Sequence, residues 1–111
     1  MNYTPHNFEK LIEVTGNNNV VLKDIYPKVL YFTAKWCGPC QRISPIYKEL
    51  ADKRTDIKFF KIDVDKNEEL SAKFNISSMP TFIFFKSKTD FKFFSGADTD
   101  KLKQHINWLS S

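Results

Sequence analysis

Cys37 and Cys40 are the only cysteines in this 111-residue chain, and they sit three positions apart in Lys35-Trp36-Cys37-Gly38-Pro39-Cys40-Gln41. An apolar run, Val29-Leu30-Tyr31-Phe32, leads into this segment, and a helix-forming stretch follows it. The order places two thiols where a buried strand gives way to a helix N-terminus. Such an end carries partial positive charge and unpaired N–H groups, which favour a thiolate over a thiol. The thiolate is the species that attacks disulfides, and CxxC cysteines at such ends have pKa values of roughly 3.5–7.5, against about 8.5 for a free cysteine. The chemistry indicated is reversible dithiol–disulfide exchange. A bridge across so short a loop constrains the unfolded chain little, so the pair is a poor structural staple. The competing reading is a zinc half-site. Structural zinc takes four protein ligands, and the only histidines, His6 and His105, lie far from the cysteines in sequence.

The surrounding pattern predicts the elements that hold the pair. Lys10–Thr15 reads as a first strand, and Asn18 or Asn19 caps a short helix that runs through Tyr26 until Pro27 ends it. A rival reading makes Pro5–Val14 a helix, with Thr4 as its cap and Pro5 in its first turn. Lys28–Ala34 is a continuous apolar run, as in a strand buried on both faces. Ile43, Ile46, Tyr47 and Leu50 recur at helical spacing up to about Lys53, with Pro45 inside that helix. Ile57–Val64 is a strand and Glu68–Phe74 a short helix. Thr81–Lys86 and Phe91–Ser95 form a hairpin, and Asp98 or Thr99 caps a last helix with Leu102, Ile106 and Leu109 on one stripe. Alternating elements of this kind give a mostly parallel sheet covered by helices, with antiparallel strands near the end.

Length fits one domain. The net charge of +4, from 17 basic and 13 acidic residues, is scattered along the chain. Lys86-Ser87-Lys88 and Lys101/Lys103 read as solvated faces, with no basic stripe of the kind that binds nucleic acid. Two cysteines do not make a disulfide-stapled secreted scaffold. The first twenty residues lack the apolar core of a signal peptide, and no stretch is long enough to span a bilayer. A cytoplasmic location is the default expectation, with an organelle left open.

Taken together, the chain resembles the thioredoxin family. Trp36-Cys37-Gly38-Pro39-Cys40 is identical to that family's redox motif. Phe32 and Ala34, Pro45, Ile62-Asp63-Val64-Asp65, Met79-Pro80-Thr81-Phe82 and Ser95-Gly96-Ala97 match its further motifs in order and spacing. The resemblance implies an α/β thioredoxin fold: a central mixed five-stranded sheet flanked by four helices, over residues 10–111, after an N-terminal extension of residues 1–9. It implies that Cys37 attacks a substrate disulfide and that Cys40, one helical turn on, resolves the mixed disulfide. Trp36, Met79, Pro80 (cis by resemblance) and Gly96 would form the substrate-binding surface. Gly38, Pro39 and Tyr31 would tune the potential.

Three departures stand out. Tyr31 occupies the place of a buried aspartate that is thought to help move the resolving cysteine's proton. Tyrosine, with a reference pKa of about 10, is no base near neutral pH. Phe59 occupies the place of the lysine that often accompanies that aspartate. Gln41 replaces a common lysine or arginine, with Arg42 beside it. Tyr31 reads equally as a core tyrosine or as a proton-handling group, and Asp63 as a capping carboxylate or a substitute acid. Trp108 and the Phe82, Phe84 and Phe85 run read as core, and His105 as a surface residue.

The leading function is a small protein-disulfide reductase, without cofactor or metal. By resemblance it is recharged by a thioredoxin reductase and passes electrons to proteins such as peroxiredoxins, acting as a monomer with no nucleic-acid or membrane partner. The alternatives are a thioredoxin-fold binding module with little turnover, and a secretory oxidase or isomerase. Gly38-Pro39 argues against the last, since oxidising relatives tend to carry histidine there.

Overall fold

The computed structural model describes residues 11–14 and 19–111. Five strands form one sheet: β1 (Leu11–Val14), β2 (Lys28–Thr33), β3 (Lys58–Asp63), β4 (Thr81–Phe85) and β5 (Phe91–Ser95). Four helices flank it: α1 (Asn19–Leu22), α2 (Gly38–Lys53), α3 (Glu68–Lys73) and α4 (Thr99–Leu109). The strand order is β1-β3-β2-β4-β5. The first three run parallel, whereas β4 is antiparallel to β2, and β5 to β4. This is the mixed five-stranded sheet with four helices that the family resemblance implies.

The apolar run of β2 is explained by its central place. All six of its residues are buried. Side chains alternate between faces, so Val29 and Tyr31 join Ile43, Tyr47, Leu102 and Ile106 on the α2/α4 side. Leu30 and Phe32 join Val21 and Leu70 on the α1/α3 side. Each large apolar side chain so buried contributes about 1.5–3 kcal/mol. A strand in this position has no polar face to show, and the sequence has none.

Several boundaries differ from the sequence reading. The helix expected through Tyr26 stops at Leu22. Past it, the Lys23 carbonyl accepts the Ile25 N–H (2.8 Å) and the Lys28 ammonium (3.1 Å), which ends the helical ladder. The rival helix over Pro5–Val14 fails at its end, because Leu11–Val14 pairs with β3. Its earlier part, the extension 1–9, and Lys10, Thr15 and Asn18 lie outside the described residues. The buried stripe of α2 is Cys40, Ile43, Tyr47 and Ala51, with Ile46 and Leu50 half-buried beside it. A 3-10 turn over Val64–Lys66 joins β3 to α3. His105 is not a plain surface residue: its ring lies 5.0 Å from Phe84 and 5.1 Å from Phe94. Trp108 packs on the core, with the Lys86 and Lys92 ammonium groups over its ring at 5.0 and 4.7 Å.

Candidate active site

β2 ends at Thr33, and the chain turns through Ala34–Trp36 before α2 begins at Gly38. Gln41 holds this turn: its side-chain amide donates to the carbonyls of Ala34 and Lys35, each at 3.2 Å. Gln41 therefore has a positioning role where the sequence suggested only a missing charge. Cys37 is the N-cap of α2, and its sulfur accepts the Cys40 N–H at 3.2 Å. Pro39, within the first turn, brings no N–H of its own. No acidic residue occupies that turn, so the positive end of the helix dipole acts on the Cys37 sulfur without a carboxylate from the helix itself.

Cys37 and Cys40 are joined as a disulfide, with Cα atoms 5.3 Å apart. Cys37 is 6% exposed and Cys40 fully buried. Of the two cysteines, the slightly more exposed is also the one at the helix end. No cluster of metal-binding side chains occurs among the described residues.

Around the pair lie the residues singled out from sequence. Met79 and Val64 pack against Ala34, Cys37 and Cys40. The Met79–Pro80 bond is cis, and the Pro80 carbonyl accepts the Gly96 N–H at 2.9 Å. The hydroxyls of Thr81 and Ser95 bond at 2.8 Å, so the two loops are joined twice. Gly96 has φ +109°, and a side chain there would point into open space. The backbone conformation demands glycine, and the surface beside it is clear for an approaching chain. A side chain at Gly38 would also meet nothing. Trp36 is 66% exposed and anchored at one point, where its indole N–H donates to the Asp65 carboxylate at 2.9 Å. Asp65 was not singled out from sequence. The pairing joins residues 29 positions apart and depends on the 3-10 turn, whose own cap is Asp63. Asp63 is thus a capping carboxylate: it accepts the Asp65 N–H at 2.9 Å.

Behind the cysteines, an aromatic cluster surrounds Tyr31 and Phe59. Tyr31 is fully buried, stacked on Phe82 (4.8 Å) and tilted against Tyr47 (4.7 Å), which meets Phe59 edge-on at 5.5 Å. The Tyr31 hydroxyl bonds the Cys40 carbonyl at 3.1 Å and Ser44 Oγ at 2.6 Å. It reaches the backbone of Cys40, not its sulfur. Burial raises the Tyr31 pKa, partly offset by hydrogen bonds from Ser44 and Thr33. The group is a phenol throughout the neutral range. Ser44 also lines a cleft of about 230 Å³, shared with Glu13, Lys61, Asp63 and Lys66.

Comparison with known proteins agrees with this geometry. The Thioredoxin family model matches residues 4–108. The chain is 45% identical over 83 residues to a TPR repeat-containing thioredoxin of Arabidopsis thaliana, covering 75% of this chain but only 22% of that protein. It is 38% identical over 104 residues to Thioredoxin-1 of Caenorhabditis elegans, covering 94% of this chain and 84% of the relative. Among solved structures, Schistosoma mansoni thioredoxin superposes with a TM-score of 0.79 at 37% identity, over 91% of this chain and 96% of that one. With its five-stranded mixed sheet, its Cys37–Cys40 disulfide at a helix N-terminus and a family match over most of its length, this chain belongs to the thioredoxin family.

Proposed function

We propose that this protein is a protein-disulfide reductase that works by dithiol–disulfide exchange. The observation that carries the reading is Cys37 as the capping sulfur of an acid-free helix N-terminus, with buried Cys40 bonded to it. In the reduced protein the Cys37 thiolate attacks one sulfur of a substrate disulfide. A mixed disulfide forms, and the other substrate sulfur leaves as a thiolate. Cys40 loses its proton and attacks the Cys37 sulfur, so the substrate leaves with two thiols and the Cys37–Cys40 disulfide returns. Two electrons pass from the protein to the substrate in each cycle.

Trp36, Met79, Pro80 and Gly96 supply the docking surface in this reading. Their clustering around the pair supports it, and an extended substrate segment would bind there mainly through its main chain. Gly38 and Pro39 shape the loop between the sulfurs. Tyr31 sets the surroundings of Cys40 through the carbonyl bond. The partners are a thioredoxin reductase, which recharges the disulfide, and disulfide-bearing proteins such as peroxiredoxins. The protein carries electrons between them as a cytoplasmic monomer. No helix among the described residues is long and apolar enough to cross a membrane.

The test is turnover of a disulfide-bonded protein, driven by a small dithiol, for the native chain and for Cys40→Ser. The native chain accelerates reduction, and the variant accumulates as a mixed disulfide through Cys37. Failure of the native chain to exceed the dithiol alone would replace this reading with a binding module.

A further inference from the structure

Lys28 opens β2, paired with Lys58 on one side and Phe85 on the other. A central strand offers no solvent-facing position, and Lys28 is 4% exposed. Its ammonium donates to the carbonyls of Val21 (2.7 Å) and Lys23 (3.1 Å). It also stands 4.8 Å from the centroid of the Tyr26 ring and 5.4 Å from that of Phe85. An ammonium has three N–H donors, so one has no oxygen acceptor among the described residues. Asp24 does not pair with it; its carboxylate accepts the Tyr26 hydroxyl instead. Asp24 acts on the Lys28 charge from a distance without forming an ion pair, so that charge is only partly compensated.

Lys28, Tyr26 and Phe85 line a cleft of about 360 Å³, a size suited to a small molecule. Leu22 and Phe74 extend its apolar lining, and the exposed Lys73 and Lys88 lie at its rim. Three lysines therefore face one carboxylate, Asp24. The cysteines follow the far end of β2, roughly 17–20 Å of strand away, so this cleft is separate from the redox pair.

We propose that this cleft binds a small amphipathic carboxylate, with its head on Lys28 between Lys73 and Lys88 and its hydrocarbon on Leu22, Phe74 and Phe85. A single negative charge suits the donor at the base that has no oxygen acceptor among the described residues. The bond to an ammonium already oriented by two carbonyls is charge-assisted. Aromatic walls favour a hydrocarbon tail over a polar one. Burial lowers the Lys28 pKa while Asp24 draws it back up, and a bound carboxylate acts in the same direction as Asp24.

The probe is sodium octanoate, titrated into the full isotope-labelled chain and followed by amide chemical shifts. Saturable shifts are expected at Leu22, Lys28, Phe74 and Phe85, with none at Trp36–Cys40. Octan-1-ol, with the same tail and no charge, should bind about tenfold more weakly or worse, as should Lys73→Glu/Lys88→Glu and Lys28→Met. The rim double variant leaves the core intact, so it remains informative if Lys28→Met fails to fold. Dithiol-driven turnover by the rim variant should equal that of the native chain. Absence of shifts at millimolar octanoate, equal binding of octan-1-ol, or undiminished binding by the rim variant would overturn the proposal.

Discussion

Replacing Tyr31 by aspartate tests how Cys40 loses its proton. In the native protein the hydroxyl that bonds Cys40 is a phenol with a raised pKa, and it bonds the carbonyl rather than the sulfur. It cannot take a proton near neutrality. In Tyr31→Asp, a carboxylate stands at the same depth on β2, but its shorter side chain stops short of Cys40. The vacated ring volume admits water, which needs about 30 Å³ per molecule in the liquid. The carboxylate then acts through one water, and burial raises its pKa toward the working range. A positioned base contributes about 10²–10⁴-fold, so a water-bridged one should accelerate resolution by about a hundredfold at most. Losing a ring packed on Phe82 and Tyr47 costs about 3–5 kcal/mol, within the roughly 5–15 kcal/mol of a typical domain. The assay is single-turnover mixing of reduced protein with a disulfide-bonded substrate, acid quenching, and counting of the mixed disulfide with time. Equal resolution rates for the two proteins across about pH 6–8, the range of perturbed thiols, would refute the reasoning. Tyr31→Phe is the control. It should resolve at the native rate while losing about 1–3 kcal/mol from the orphaned Ser44 and Cys40 groups, and a slowed Tyr31→Phe would show that the phenol does handle the proton.

Other outcomes follow from single contacts. Asp65→Asn weakens the anchor of Trp36 at an exposed position; unfolding should change by less than about 1 kcal/mol, while KM for a protein substrate rises with kcat held. Asp98→Ala removes the cap that accepts the Lys101 N–H at 3.0 Å, which costs about 1 kcal/mol and lowers Tm by about 4–8 °C in a thermal scan. Alkali should destabilise the fold through Tyr31 and Tyr47, whose pKa values burial raises. Above about pH 10 the unfolded chain gives up protons that the folded one keeps, so stability falls by up to about 1.4 kcal/mol per pH unit for each tyrosine. Lys28, whose pKa is lowered, has the opposite slope, confined to the range below about pH 10.4 where the unfolded lysine still holds its proton. The tyrosine contribution is therefore read from the difference between native and Tyr31→Phe denaturation curves, and identical alkaline slopes would contradict it.

What the sequence made legible was whatever depends on local pattern. The run Val29–Phe32 marks a doubly buried strand because both faces of β2 meet helices. Phe91–Ser95 falls where the alternation and its flanking turn put it, and Asp98 caps α4 as its chemistry suggests. The pair at Cys37 and Cys40 was visible because its spacing falls where a buried apolar run gives way to a helix N-terminus. Contacts between distant segments were not visible. Lys28 reads as the polar start of an apolar strand, yet carbonyls at Val21 and Lys23 bury its charge. Gln41 reads as a lost cation, yet its amide fastens the turn before the cysteines. Asp65 shows its role only once the 3-10 turn brings it beneath Trp36. Tyr31 and Phe59 signalled the loss of a charge pair, but Tyr47, which fills the space between them, looked like any helical core residue.

The capping sulfur makes the first turn of α2 sensitive to where the cycle stands. The Cys40 N–H bonds the Cys37 sulfur even in the neutral disulfide. A Cys37 thiolate would offer the same N–H a charged acceptor, and such bonds are roughly twice as strong as neutral ones. In a mixed disulfide that sulfur would again be neutral, and the cap would be weaker than in the waiting thiolate. Closing the internal disulfide restores a covalent clamp across that turn. The charge on one sulfur would thus set how firmly the first turn of the helix is held at each stage of the proposed cycle.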